Sequence, residues 1–336
     1  MIETEVHQRL RAYLREQGHT QWPHHLTMAR LVARALRVDR SALIQIDALA
    51  AYQGTHRLSY LIPALLWPEP AVLALPEDLL DSVVSQDIPD LQGDCWPSKD
   101  FRGLLVTSAQ GWLSDRLSSL QSEAAAQSTP CFPAHIPTLI DGASDLEKWA
   151  REKLSISLTV QDWDALMLAY PGQRNFIRDL RARLTRVIFQ HPANPYSCHL
   201  IDAPELDLLS ELYEILHSHG DGGRLPASWH AFRQLLSQTE RLAWTQLNRG
   251  SGSFTLNCGP IDIAPVLSSI WQQQPLVVIG TALDTDKKAQ RYRDRLGLGD
   301  MTCLQFSPDR HHELIQIYLP DRLPMPNTSH FKPAVL

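Results

Sequence analysis

The side chains best suited to hold a metal in this 336-residue chain are its five cysteines and fourteen histidines. Cys95, Cys131, Cys198, Cys258 and Cys303 are scattered, with no short-spaced pair. Zinc sites and disulfide frameworks need such pairs, so neither is expected, and the thiols read as those of a reducing cytoplasm. His217 and His219 are close neighbours without a third ligand at a telling distance, and read as surface histidines. Arg174, Arg178 and Arg181 recur at helical spacing opposite an apolar face of Phe176, Ile177, Leu180, Leu184, Val187 and Ile188. They are candidate contacts to a phosphate backbone, or else a solvated face.

Bulk properties bound the rest. A hydrophobic fraction of 44% over this length builds one large or two medium domains. The formal charge of −6 gives no overall field that would draw the chain to nucleic acid. Its cations are mostly arginine, the better partner for bidentate phosphate contacts. The start, Met1-Ile-Glu-Thr-Glu-Val-His7, lacks the basic and apolar regions of a signal peptide. No run approaches the roughly 20 apolar residues of a membrane span, so a soluble, cytoplasmic protein without a membrane partner is expected.

The elements that position chemistry begin with Val6, Leu10 and Leu14, at four-residue spacing on an amphipathic helix ended by Gly18. A second helix starts near Pro23. Residues 42–46, 71–75, 104–108, 138–141 and 276–280 are continuous apolar runs, as in a parallel sheet covered on both faces. Residues 155–252 turn helical in pattern, and Gly250-Ser-Gly-Ser-Phe-Thr-Leu256 reads as a flexible joint entering a strand.

Leu58-Ser-Tyr-Leu-Ile-Pro-Ala-Leu-Leu66 resembles the helix that follows the phosphate loop of DinG/XPD-like DNA helicases. Trp22-Pro-His-His-Leu-Thr-Met28 is similar to their adenine-reading stretch. Ser85-Gln-Asp-Ile-Pro-Asp-Leu91 resembles their Lys-Asp-Ile-Pro run, and Gly103–Leu113 a following strand and turn. Thr138-Leu-Ile-Asp-Gly-Ala-Ser-Asp-Leu-Glu147 resembles Walker B, and Leu276–Asp284 the Ser-Ala-Thr motif. Arg295-Leu-Gly-Leu298, Ser307-Pro308, Leu319-Pro320 and Pro324-Met-Pro326 match later landmarks. The resemblance covers most of residues 20–92, 103–150 and 254–335, in the family's order.

The resemblance implies a nucleotide site whose residues are replaced. His25 stands where a Gln reads adenine. A neutral imidazole donates and accepts one bond each and cannot copy that amide. Gly54 is the sole glycine between Asp47 and Arg57, where a phosphate cradle needs several. Thr55, His56 and Arg57 take the places of Gly, Lys and Thr. Asp141 matches the Asp that holds Mg²⁺ through water, Gly142 replaces the catalytic Glu, and Ser144 the coupling His. Thr281 and Ala282 fall on the motif that links ATP to DNA. Phosphoryl transfer rests on positioning and charge stabilisation, so loss of the Lys and the Glu removes two main supports. Two thiols, Cys95 and Cys131, cannot make the Cys₄ iron–sulfur cluster that some members hold.

The expectation is therefore an α/β fold: a RecA-like, P-loop NTPase-type parallel sheet from residues 1–153 and 254–310, interrupted by an all-helical insertion over 154–253. Residues 311–336 would lead into a second motor domain. The expected function is a degenerate DinG/XPD-like helicase homologue that binds single-stranded DNA or a protein partner, without a cofactor. Two alternatives stand beside it: an active helicase that uses Mg-ATP, and a protein scaffold that never meets DNA.

Overall fold

The computed structural model describes residues 1–17, 22–92, 103–121, 131–218, 225–306 and 323–335. Gly18, Cys95, His219, Ser307-Pro308 and Leu319-Pro320, on which the sequence reading drew, lie outside these residues. Ten strands follow in chain order: β1 Ala42–Ile46, β2 Ala71–Leu75, β3 Leu104–Ser108, β4 Thr138–Ile140, β5 Ile156–Leu158, β6 Cys198–Leu200, β7 Arg241–Asn248, β8 Ser253–Pro260, β9 Leu276–Thr281 and β10 Thr302–Gln305. They fall into two compact units, Met1–Lys153 with Asp262–His311, and Leu154–Ile261 with His312–Leu336.

The first unit is a six-stranded parallel sheet in the order β10-β1-β9-β4-β2-β3, with helices packed against it, as a RecA-like layout requires. β1 and β2 are buried at every position, which is why their apolar runs do not alternate with polar residues. Side chains of a strand still alternate between two cores. Ile44, Leu73 and Ile279 join a cluster with three helices: α1 Ile2–Gln17, α2 His25–Val38 and α4 Leu58–Leu66. A short helix, α3 Ala48–Gln53, comes between β1 and α4. On another part of the unit Trp112 stacks on Trp271 at 6.0 Å, and the Trp271 indole donates to Leu296 O at 2.6 Å.

The chain leaves β1 towards β2 and leaves β9 towards β10, in opposite directions across the sheet. Open parallel sheets bind ligands at such a switch point, beyond the carboxyl ends of the strands. Here those are the ends of β1, β9 and β4.

The second unit corrects the expectation of an all-helical insertion. Helices Val160–Ala169, Arg174–Gln190, Ala203–Ser218 and Ala227–Leu236 accompany a four-stranded antiparallel sheet in the order β5-β8-β7-β6. The joint expected at Gly250 is a hairpin turn, with Asn248 Oδ1 accepting from the N–H groups of Gly250 and Ser251 at 3.1 Å each. Residues 254–260, expected to re-enter the parallel sheet, instead pair antiparallel with β5 and β7. One core holds this unit, with Trp163, Trp229, Phe232, Ile177, Leu184 and Leu209 among its buried members.

Candidate nucleotide-site remnant

The stretch after β1 is a helix where the resemblance expects a phosphate loop. Asp47 caps α3, its Oδ1 accepting from Ala50 N at 2.8 Å, while its Oδ2 accepts from the Trp22 indole at 2.9 Å. Ala51 N donates to Asp47 O, Gly54 N to Ala51 O and Arg57 N to Gly54 O, each at 3.1 Å. A phosphate cradle works by turning successive N–H groups inward to an anion. Here several of those donors close helical turns. Gly54 ends α3 in the left-handed region at φ 69°, and Thr55–Arg57 form a 3-10 turn that runs into α4.

That turn points His56 inward, where it is buried. Its Nδ1 lies 3.1 Å from Ala50 O, and its Nε2 lies 3.3 and 3.2 Å from the two carboxylate oxygens of Asp141. A carbonyl and a carboxylate only accept, so whichever ring nitrogen carries a proton has an acceptor within reach. Tyr60, one helical turn on and fully buried, donates to Asp141 Oδ2 at 2.8 Å, and Gly142 N to Oδ1 at 2.8 Å. Burial alone would raise the Asp141 pKa, but His56 and the hydrogen bonds from His56, Tyr60 and Gly142 outweigh it and hold the group below the ordinary value. Burial, and then the Asp141 charge, push the Tyr60 phenol well above its usual range.

His25 faces inward too, with Nδ1 2.9 Å from Ser59 Oγ. Burial, then repulsion from His56, lowers its pKa to about 4, so it is neutral near pH 7. Its ring and those of Trp22, His24 and Phe306 form a cluster with centroids 5.0–5.5 Å apart. Arg57 donates to Asp87 Oδ2 at 2.7 Å. Its guanidinium occupies the space a Cβ on Gly54 would need. Thr55 Oγ1 reaches back to Ala50 O at 3.4 Å.

The ends of β4 and β9 are joined by side chains of the sequence-predicted set. Ser144 Oγ donates to Thr281 O at 2.9 Å, lies 3.2 Å from Thr281 Oγ1 and accepts from Thr281 N at 3.2 Å. Ala282 follows with φ 47°. Gly142 has φ 74°, and a Cβ there would collide with Pro76 Cγ. A glutamate cannot be seated at that position without moving Pro76 or the turn.

The fold thus gathers His25, Gly54, Thr55, His56, Arg57, Asp141, Gly142, Ser144, Thr281 and Ala282 at the carboxyl ends of β1, β4 and β9. The residues do not fit Mg-ATP. Loop donors close helical turns, the position that the resemblance gives to the cation holds a buried imidazole, and both oxygens of Asp141 are taken. Tyr60 is the member that sequence reasoning missed, although its four-residue step from His56 on a helix was legible. Among the described residues no group of three or more His, Cys, Asp or Glu is placed to hold a metal ion, and no helix is long and apolar enough to cross a membrane.

The arginines of the second unit are elsewhere. Arg174 and Arg178 are exposed, the latter 3.8 Å from Asp179. Arg181 is half-buried, 4.0 Å from Asp164 and 5.9 Å from the Trp163 ring centroid. Only the first two of that stripe point fully to solvent.

No protein-family model and no curated protein matches the chain. Among solved structures the chain is similar to XPD helicases. One, described as the structure of S. tokodaii Xpd4, has a TM-score of 0.49 and 10% identity, with 79% of this chain and 58% of that one covered. A second, described as XPD_Helicase, has a TM-score of 0.45 and 12% identity, with 85% and 62% covered. The chain spans about three fifths of the length of both structures.

Proposed function

We propose that this chain is a helicase-derived module that does not use nucleotide and that binds single-stranded DNA. The observation that supports the first half is the buried His56–Asp141–Tyr60 network, made by residues that the sequence resemblance sets in the nucleotide site. Buried groups satisfied in this way exchange good hydrogen bonds for nothing if a ligand displaces them. The second half is supported by the DinG/XPD-like sequence landmarks and by Arg174 and Arg178, which stand in solvent on one helix.

The test is fluorescence anisotropy of a labelled single strand over a salt series, with and without Mg-ATP, beside thermal unfolding with the same nucleotide. Binding that weakens with salt and ignores ATP, with an unchanged Tm, is the expected result. A Tm raised by Mg-ATP would overturn the first half. No binding at low salt would overturn the second and leave a module that binds protein.

A further inference from the structure

The first unit carries a basic face far in sequence from the arginines of the second. α2 buries Met28, Val32, Ala33 and Leu36 and turns Arg30, Arg34 and Arg37 to solvent, with Arg40 just beyond its end. Steps of four and three residues set the first three on one side of the helix. At 1.5 Å rise per residue, neighbours among them are about 4.5–6 Å apart along the axis.

Two clefts of about 410 Å³ each meet at Leu31 and Arg34. One reaches Arg30, Arg37 and Glu3, and the other Arg40, Ala35 and Val38. The face already binds one carboxylate, for Arg37 holds Glu3 Oε1 at 2.7 Å. Among the described residues Arg30, Arg34 and Arg40 have no carboxylate partner. Guanidiniums on the rim and Leu31, Ala35 and Val38 on the floor make a surface that is charged and apolar by turns.

We propose that this groove docks an acidic segment of a partner protein, its carboxylates on Arg30, Arg34 and Arg40 and its apolar side chains in the two clefts. Guanidiniums pair with carboxylates through charge-assisted hydrogen bonds, as Arg37 does here with one oxygen of Glu3. A phosphate backbone could use the arginines but would leave the apolar floor uncovered, so the alternation favours a peptide over a nucleic acid. The groove uses α2 of the first unit, whereas the arginines of the DNA reading belong to the second, so the proposal stands or falls without that reading.

The experiment titrates the full chain into a fluorescein-labelled peptide of alternating Glu and Leu, over a salt series. Binding should weaken with salt, and should fall about tenfold or more in an Arg34→Glu/Arg40→Glu variant whose circular dichroism is unchanged. Glu3→Gln, which releases Arg37, should tighten it. The same peptide with Gln for Glu should not bind, and an unlabelled single-stranded oligonucleotide should not displace the acidic one. Equal affinity of the charge-reversed variant, equal affinity of the Gln peptide, or displacement by the oligonucleotide would each overturn the proposal.

Discussion

At the scale of residues, Asp141 is the group on which most of the candidate site depends. It accepts from His56, Tyr60 and the Gly142 N–H inside the protein, so its charge is desolvated but fully matched. Removing one partner of such a pair leaves the other buried and unmatched. Asp141→Asn, with a single acceptor oxygen, is therefore expected to cost about 3 kcal/mol, the low end for a broken buried pair. Urea unfolding measures it, and a shift in midpoint below a few tenths of that energy would show that Asp141 is not so engaged. His25 gives the second prediction, in pH. Its folded pKa is lowered to about 4 while the unfolded chain titrates near the ordinary 6.5. The unfolded state thus takes up a proton first, and stability present above pH 6.5 is lost as pH falls towards 4. Over that window the loss approaches about 3 kcal/mol, and His25→Gln should flatten it. Parallel slopes for the two proteins between pH 6.5 and 4 would contradict the assignment.

At the scale of elements, the turn between β4 and the helix Leu146–Leu154 shows why a carboxylate side chain is not accommodated at Gly142. Gly142 sits at positive φ, with Pro76 Cγ in the space a Cβ would need. Gly142→Glu would meet a left-handed backbone cost of about 1–2 kcal/mol and a collision with Pro76 besides. The expected outcome is a lower Tm and no gain in ATP hydrolysis, read by calorimetry and phosphate release; a variant that hydrolyses ATP at an unchanged Tm would sink this account. Much of the surrounding frame was legible. Runs such as Ala42-Leu-Ile-Gln-Ile46 are buried on both faces, so a short continuous apolar run, too brief for a helix, pointed to a strand of a covered sheet. β10 was missed because Thr302-Cys-Leu-Gln305 is a short, half-exposed edge strand of mixed composition. The antiparallel hairpin was missed although its alternation and Gly-rich turn are ordinary signals, because the glycines read as a flexible joint. α3 was hidden because the resemblance set a phosphate loop there. Asp47 followed by Ala48-Leu-Ala-Ala is a good cap before strong helix formers, and local propensity prevailed over the expected loop.

At the scale of the whole molecule, β5 and β8 explain how one unit can be inserted in the chain of another. β5 opens the insertion, β8 closes it, and the two lie antiparallel, with Ile156 opposite Cys258 and Leu158 opposite Leu256. Entry and exit are thus side by side, the geometry in which insertions are tolerated, because the host needs to open only a single turn. The insertion has its own core, in which Trp163, Trp229 and Phe254 meet edge to face and Tyr213 donates to Trp229 O at 3.3 Å. A stretch with a closed sheet pairing and a separate apolar cluster holds what a domain needs to fold by itself. Residues 154–261 expressed alone should therefore show a cooperative thermal transition and mixed helical and strand circular dichroism. Small domains of about this size unfold in one step when their core is continuous. A broad, non-cooperative melt with exposed-surface dye binding would mean that the core of this unit is completed from outside residues 154–261.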